Sequence, residues 1–166
     1  MRPTSDRVRE ALFDVLGARI EGARFLDVYA GTGAVGCEAL SRGADRAVFV
    51  ERDPAALRVI AENVKIATWS GAIEIVRGEA CAVIGRLAAA ARRFDVVYVD
   101  PPYDDPRPEA ALELAARVLA PQGVVVLEHR SRTAAATPPG LRRFRTYRHG
   151  DSALTVWRGS EDTRPA

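Results

Sequence analysis

Cysteine is scarce in this 166-residue chain, with only Cys37 and Cys81 in separate segments and no close-spaced cysteine or histidine beside either. Neither a disulfide framework nor a zinc site is suggested, and both thiols are expected to be small buried apolar groups. Lysine is scarcer still: of 24 Lys+Arg only Lys65 is a lysine, so the positive charge is almost wholly guanidinium. No apolar run approaches the ~20 residues that cross a bilayer, and the first six residues lack the apolar stretch of a signal peptide. A cytoplasmic protein with no membrane partner is expected. Linkers, repeats and low-complexity blocks are missing too, which predicts one domain over residues 1–159 and a disordered tail at 160–166. With 48% hydrophobic and 28% charged residues, the rest of the composition is that of an ordinary soluble globular chain.

A net charge of +2 is too small to announce nucleic acid, but its distribution is uneven. Arg2, Arg7 and Arg9 cluster at the start, and Arg142, Arg143, Arg145 and Arg148 fall in one short stretch near the end. Arginine suits bidentate phosphate contacts and stacking on bases, so both clusters are candidate RNA contacts. A solvated surface written in arginine rather than lysine explains each cluster equally well.

Hydrophobic periodicity predicts a helix opening at Pro3-Thr4-Ser5-Asp6 and stopping at Gly17, then strands alternating with helices. Strands are expected at residues 24–29, 46–51, 72–77, 94–99 and 124–128. Helices are expected at 35–41, from Asp53-Pro54 onward, at 81–91 and at 108–119, with breaks at Trp69-Ser70-Gly71 and Pro121-Gln122-Gly123. Residues 144–149 and 153–157, separated by Gly150-Asp151, read as a terminal hairpin. The alternation implies an α/β fold with a mostly parallel sheet covered on both faces, whose ligands bind beyond the carboxyl ends of the strands.

Three groups fall on that rim. Gly31-Thr32-Gly33-Ala34-Val35-Gly36 is a G-x-G-x-x-G between strand and helix, giving close backbone approach and free N–H groups at a helix start. Glu51 ends the second strand about twenty residues on, where a carboxylate accepts the two hydroxyls of a ribose. NAD and S-adenosylmethionine both carry such a ribose. Asp27, inside the first strand, favours a cationic ligand over a pyrophosphate and so favours S-adenosylmethionine. Finally Asp100-Pro101-Pro102-Tyr103 leaves the fourth strand. Its prolines remove N–H donors, its carboxylate and carbonyls accept from a planar amine, and Tyr103 offers a stacking face. Hydrogen bonds from an –NH2 to Asp100 and the Pro101 carbonyl favour a tetrahedral nitrogen with a lone pair free to attack a methyl group.

The stretches Arg2 to Phe13, Leu26 to Gly36 with Glu38-Ala39-Leu40-Ser41-Arg42-Gly43, and Asp100-Pro101-Pro102-Tyr103 resemble the RsmD family, the 16S rRNA (guanine(966)-N(2))-methyltransferases. That resemblance implies a class I (Rossmann-like) methyltransferase with a seven-stranded sheet and a C-terminal antiparallel hairpin. It further implies S-adenosylmethionine as cofactor and 16S rRNA or the assembling small subunit as partner; a monomer is expected. By the same likeness Asp27, Gly31 and Gly33 line the methionine part, with Tyr29 and Thr32 beside them. Glu51 and Arg52 take the ribose region and Glu79 and Ala80 the adenine edge. Asp100, Pro101, Pro102 and Tyr103 meet the guanine. Family members carry a basic segment ahead of the Arg-Pro-Thr stretch where this chain has Met1 alone, so the start is set too late or the RNA grip lies elsewhere, with the Arg142 to Arg148 cluster as candidate.

Other residues take blander readings. His129 and His149 are expected at the surface, Trp69 and Trp157 over the core, and Tyr29 either in the pocket wall or packed. Competing functions are an adenine-N6 or cytosine-N4 methyltransferase acting on DNA or RNA, since the same acceptor chemistry serves any exocyclic amine, and an NAD-dependent dehydrogenase, which leaves the Asp-Pro-Pro-Tyr loop without a task.

Overall fold

A computed structural model describes residues 5–65, 69 and 72–160. Within them seven strands form one sheet: β1 (Arg24–Val28), β2 (Arg46–Glu51), β3 (Ile73–Arg77), β4 (Phe94–Val99), β5 (Leu119–Arg130), β6 (Leu141–His149) and β7 (Ser152–Gly159). The order is β3-β2-β1-β4-β5-β7-β6. β1 to β5 pair in parallel, while β7 runs antiparallel between β5 and β6. Such an order starts in the middle, moves outward to β3 and returns across β1 to β4, which leaves a crevice above the β1–β4 boundary.

Register sorts the side chains to two faces. Phe25, Val96 and Val124 lie side by side, as do Tyr98, Val126 and Val156, and this face packs on α1 (Asp6–Leu16) and α2 (Ala34–Ser41). The alternate residues Leu26, Val97, Val125 and Trp157 pack on α4 (Ala80–Ala89) and α5 (Pro108–Arg117). A third group, Leu40, Ala47, Phe49 and Ile60, joins α2 to α3 (Pro54–Lys65). Being buried on both faces, the parallel strands need continuous apolar runs, which is what 47–50 and 96–99 supply.

Local chemistry sets the boundaries. The Ser5 hydroxyl accepts from Val8 N–H to open α1, and Gly17 at φ 53° closes it. The Asp53 carboxylate accepts from Ala55 and Ala56 to open α3, and Glu79 does the same for α4. Gly36 has a packing reason instead: a Cβ there would lie 2.4 Å from the buried Phe49 ring, so only glycine lets α2 settle on β2.

Several expectations shift. The break at Pro121-Gln122-Gly123 is absorbed into a twelve-residue β5, with the register slipping between Phe94 and Val96 and Gln122 at φ 69°. Sequence pattern read that bulge as a turn because both put an irregular residue beside glycine. His129 consequently lies inside β5, half-buried, with Nε2 2.8 Å from the Thr155 hydroxyl. Cys37 and Cys81 are half-buried rather than enclosed. Burial pushes the Cys37 thiol up to about 11, and the Cys81 thiol is raised by burial as well. Trp157 is fully buried and Trp69 packs on the α2–α3 group. The helix start at Pro3-Thr4, Ser70-Gly71, Arg2 and the tail beyond Ser160 lie outside the described residues.

Gly36→Ala should lower stability by about 1–3 kcal/mol through overpacking against Phe49, despite alanine's better helix propensity. Urea unfolding measures it, and an unchanged midpoint would mean that α2 slides freely on β2.

Candidate active site

The carboxyl ends of β1 to β4 open onto a cleft of about 650 Å³. Ligand sites of 300–1,000 Å³ are the usual size for a nucleoside-sized molecule. Its walls come from the expected rim: Tyr29 and Gly31 after β1, Glu51 and Arg52 after β2, Glu79, Ala80 and Cys81 after β3, and the loop 100–107 after β4.

The glycine loop turns on Gly31 at φ 59° and Gly33 at φ 78°, with Gly33 N–H donating to the Ala30 carbonyl. Gly33 caps α2 with no side-chain bond. The Glu51 carboxylate holds the loop from the side: Oε1 accepts from Gly31 N–H at 2.9 Å, and Oε2 accepts from the N–H groups of Arg52 and Asp53, each at 2.8 Å. About four lone-pair directions are available to a carboxylate. A ribose at Glu51 would therefore share it with the backbone.

Asp27 takes a different place from the one its sequence position suggested. It is 1% exposed, lies outside the cleft wall and accepts from Gly36 N–H at 3.0 Å, stapling the first turn of α2 to β1. Burial pushes its carboxyl up to about 8, against the Gly36 hydrogen bond, which lowers it, and with Glu51 adding a further rise. At neutral pH it is largely a neutral acceptor rather than a counter-charge. Thr32 and Gly33 are likewise not in the wall; the Thr32 carbonyl accepts from Asn63.

Glu79 has both oxygens on the start of α4, accepting from Cys81 and Ala82 at 3.0 and 2.9 Å. These two bonds hold its carboxyl below the usual range. Beside it Val50, Ala80 and Cys81 give an apolar wall, so carboxylates and apolar surface alternate as an adenosine would require. On that donor set the cleft fits S-adenosylmethionine, with Gly31, Glu51, Arg52, Glu79 and Ala80 as the residues that would hold it.

The loop after β4 is tied down by a bond that nothing in the sequence pattern announced. Tyr29, a non-glycine at φ 61°, donates its hydroxyl to Asp105 Oδ2 at 2.8 Å. Burial, then this bond, raises the phenol's pKa, so it stays a donor. Asp105 also accepts from Arg107 N–H and donates its own N–H to the Pro102 carbonyl, folding residues 102–107 into a compact turn. Pro102 is thus engaged, whereas no described residue donates to the Pro101 carbonyl. Tyr103 is 52% exposed, and the guanidinium of Arg130, the last residue of β5, lies 4.1 Å from its ring centre. The one clue to Asp105 was the acidic pair beside Pro106; nothing local marked Arg130.

The arginine candidates divide. Arg9 is taken by Asp6 and Glu38 at 3.0 and 2.9 Å, so it braces α1 against α2. Arg7 is exposed, and Arg2 lies outside the described residues. Arg143 turns to the Ala135 carbonyl on the α5 side of the sheet, while Arg142 and Arg145 pair with Arg158 and Val156 on the other. Arg148 sits near the rim end of β6 with Nε 3.4 Å from the Ser131 carbonyl.

A parallel sheet closed by an antiparallel β7, with a cofactor-sized cleft beside a proline-rigid acceptor loop, is the architecture of a class I methyltransferase. YhhF of Escherichia coli shares it, with a TM-score of 0.83 and 30% identity over 96% of this chain and 87% of that one. YlbH of Bacillus subtilis is 35% identical over 130 residues, 77% of this chain and 71% of YlbH. Ribosomal RNA small subunit methyltransferase D of E. coli is 41% identical over 104 residues, which span 62% of this chain and 50% of the relative. The model of the family described as conserved hypothetical protein 95 matches residues 1–158, and the chain belongs to that family, the RsmD family.

Because native Asp27 keeps its proton to about pH 8 and an unfolded aspartate releases it near ~3.9, the native state binds more protons in between and stability falls as pH rises through that window. Asp27→Asn keeps the acceptor for Gly36 and removes the titration. Its melting temperature relative to wild type should climb steadily from about pH 4 to about pH 8; a constant difference would show that Asp27 is ionised throughout.

Proposed function

We propose that the protein transfers a methyl group from S-adenosylmethionine to the exocyclic N2 amine of a guanine in 16S rRNA. The observation that carries this reading is the acceptor pair of Asp100 and Pro101 at the edge of the cofactor-sized cleft, with the exposed Tyr103 ring beside it. The E. coli relative's name, which specifies the small-subunit ribosomal RNA, supports the substrate.

Bound S-adenosylmethionine would supply an electrophilic methyl on a positively charged sulfur. Glu51 and the Gly31 turn position the donor's nucleoside part, and Glu79 with Ala80 bounds the adenine edge. Asp100 and the Pro101 carbonyl accept the two N–H bonds of the amine, drawing its nitrogen out of conjugation with the ring and aiming its lone pair at the cleft. Tyr103 stacks on the base once it leaves its helix, with Arg130 holding the ring's attitude. Asp27 works at one remove, fixing the first turn of α2 beneath the glycine loop. No strong base is required, since the amine loses its proton after transfer.

Asp100→Ala should cut methyl transfer by about 10²–10³-fold, the usual cost of losing one electrostatic partner of a reacting group, with S-adenosylhomocysteine affinity nearly unchanged. Turnover close to wild type removes Asp100 from the mechanism. Tyr103→Phe should be mild and Tyr103→Ala should raise KM for RNA more than it lowers kcat. Mapping the methyl to guanine N2 supports the substrate assignment; a methyl on adenine N6, or stabilisation by NAD instead of S-adenosylhomocysteine, overturns it.

A further inference from the structure

Tyr103 and Phe144 are the large hydrophobic side chains exposed among the described residues, at 52% and 53%. Each has an arginine over its ring at the same 4.1 Å: Arg130 over Tyr103 and Arg158 over Phe144. Tyr103 belongs to the acceptor loop. Phe144 lies two strands away from β5, on the edge strand β6, and the proposed chemistry gives it no task.

Phe144 sits at the slip in register between Arg143 and Arg145, where the bulge turns an extra side chain outward. Around it Arg142 pairs with Arg158 and Arg145 with Val156, so these guanidinium groups share its face, and Arg145 lies over the half-buried Tyr147 ring. The ion pairs among the described residues engage Arg9, Arg24, Arg42 and Arg92; none engages Arg130, Arg142, Arg145 or Arg158. Arg158 Nε is buried without a hydrogen-bond partner among the described residues.

Charges and a bulge would suffice to keep an edge strand from pairing with another chain. An exposed phenylalanine works against that purpose, so edge protection leaves Phe144 unexplained. Arginines interleaved with aromatic rings are instead the pattern that takes the faces of unstacked bases and the phosphates between them. Duplex RNA hides its base faces and would engage only the guanidinium groups. Arg130 and Arg158 share the face of the sheet that carries Val126 and Val156. From four to five residues along the strands and two strand spacings, Phe144 lies roughly 18 Å from Arg130. A few nucleotides of extended chain bridge that distance.

We propose that the β6–β7 face around Phe144, with Arg142, Arg145 and Arg158, is a stacking subsite for single-stranded RNA flanking the target nucleotide. It rests on the reading of the protein as an RNA methyltransferase and extends that site from one base to a strand. Phe144 takes one flanking base on its ring, and Arg142, Arg145 and Arg158 neutralise the adjoining phosphates.

Fluorescence anisotropy with a labelled mixed-sequence single-stranded RNA and the matching duplex tests this on the full chain. Phe144→Ala should weaken single-strand binding about tenfold and leave duplex binding within about twofold, Phe144→Trp should restore it, and Arg158→Gln should reduce the salt dependence by about one released counterion. Melting temperatures should stay near wild type, since Phe144 is at the surface. Single-strand affinity unchanged in Phe144→Ala overturns the subsite, as does an equal loss on duplex or a change from dimer to monomer in sedimentation, which would assign the face to a second copy. Methyl transfer to rRNA by the wild-type protein, measured alongside, keeps the two readings apart: transfer with no Phe144 effect refutes the subsite alone, and no transfer refutes the activity.

Discussion

β1 is buried between β2 and β4, and each chemical group of the cleft hangs from the carboxyl end of one of these strands or of β3. Parallel hydrogen bonding fixes how far each strand reaches. With Val28 level with both Val50 and Val99, the residues that follow, from Tyr29, Glu51 and Asp100, emerge at one height. A slip of a single residue in β1 would send Phe25 and Asp27 to the opposite face and leave the glycine loop without its support. The apolar burial of the strands therefore sets the position of the polar rim.

Carboxylates on that rim serve the backbone before they serve any ligand. Glu51 ties the Gly31 turn to the start of the β2–α3 connection, Glu79 opens α4 and Asp105 folds the loop after β4, while behind the rim the buried Asp27 holds α2. Each such bond satisfies N–H groups that strand and helix ends would otherwise leave bare. Ordered loops follow, and a preorganised site is one whose groups need not be rearranged when a substrate arrives. The Tyr29–Asp105 bond joins the two sides of the cleft, since one partner follows β1 and the other belongs to the loop after β4.

Much of this was legible along the chain because its causes are local. β2 and β4 fall on their expected residues, and the starts of α1, α3 and α5 follow from Ser5, Asp53-Pro54 and Pro108. The bulge in β5 was not legible, because proline, a left-handed glutamine and glycine in succession describe a turn as well as a bulge until a neighbouring strand is present to pair. Nor was the division among the arginines. Arg9 and Arg143 look like their neighbours in sequence, yet Glu38 and the Ala135 carbonyl claim them across gaps that only folding closes.

Alternation of strand and helix, the glycine loop and the Asp-Pro-Pro-Tyr run are set by the sequence alone, since φ preferences, capping and apolar period act within a few residues. So is the family, whose motifs are contiguous. Tertiary structure decided the protonation of Asp27, because a carboxyl's pKa depends on what excludes water from it rather than on its sequence neighbours. It also decided that Arg130 would cover Tyr103 and Arg158 would cover Phe144. Those pairings join residues 27 and 14 positions apart by number, and strand register is what carries the guanidinium groups to the rings.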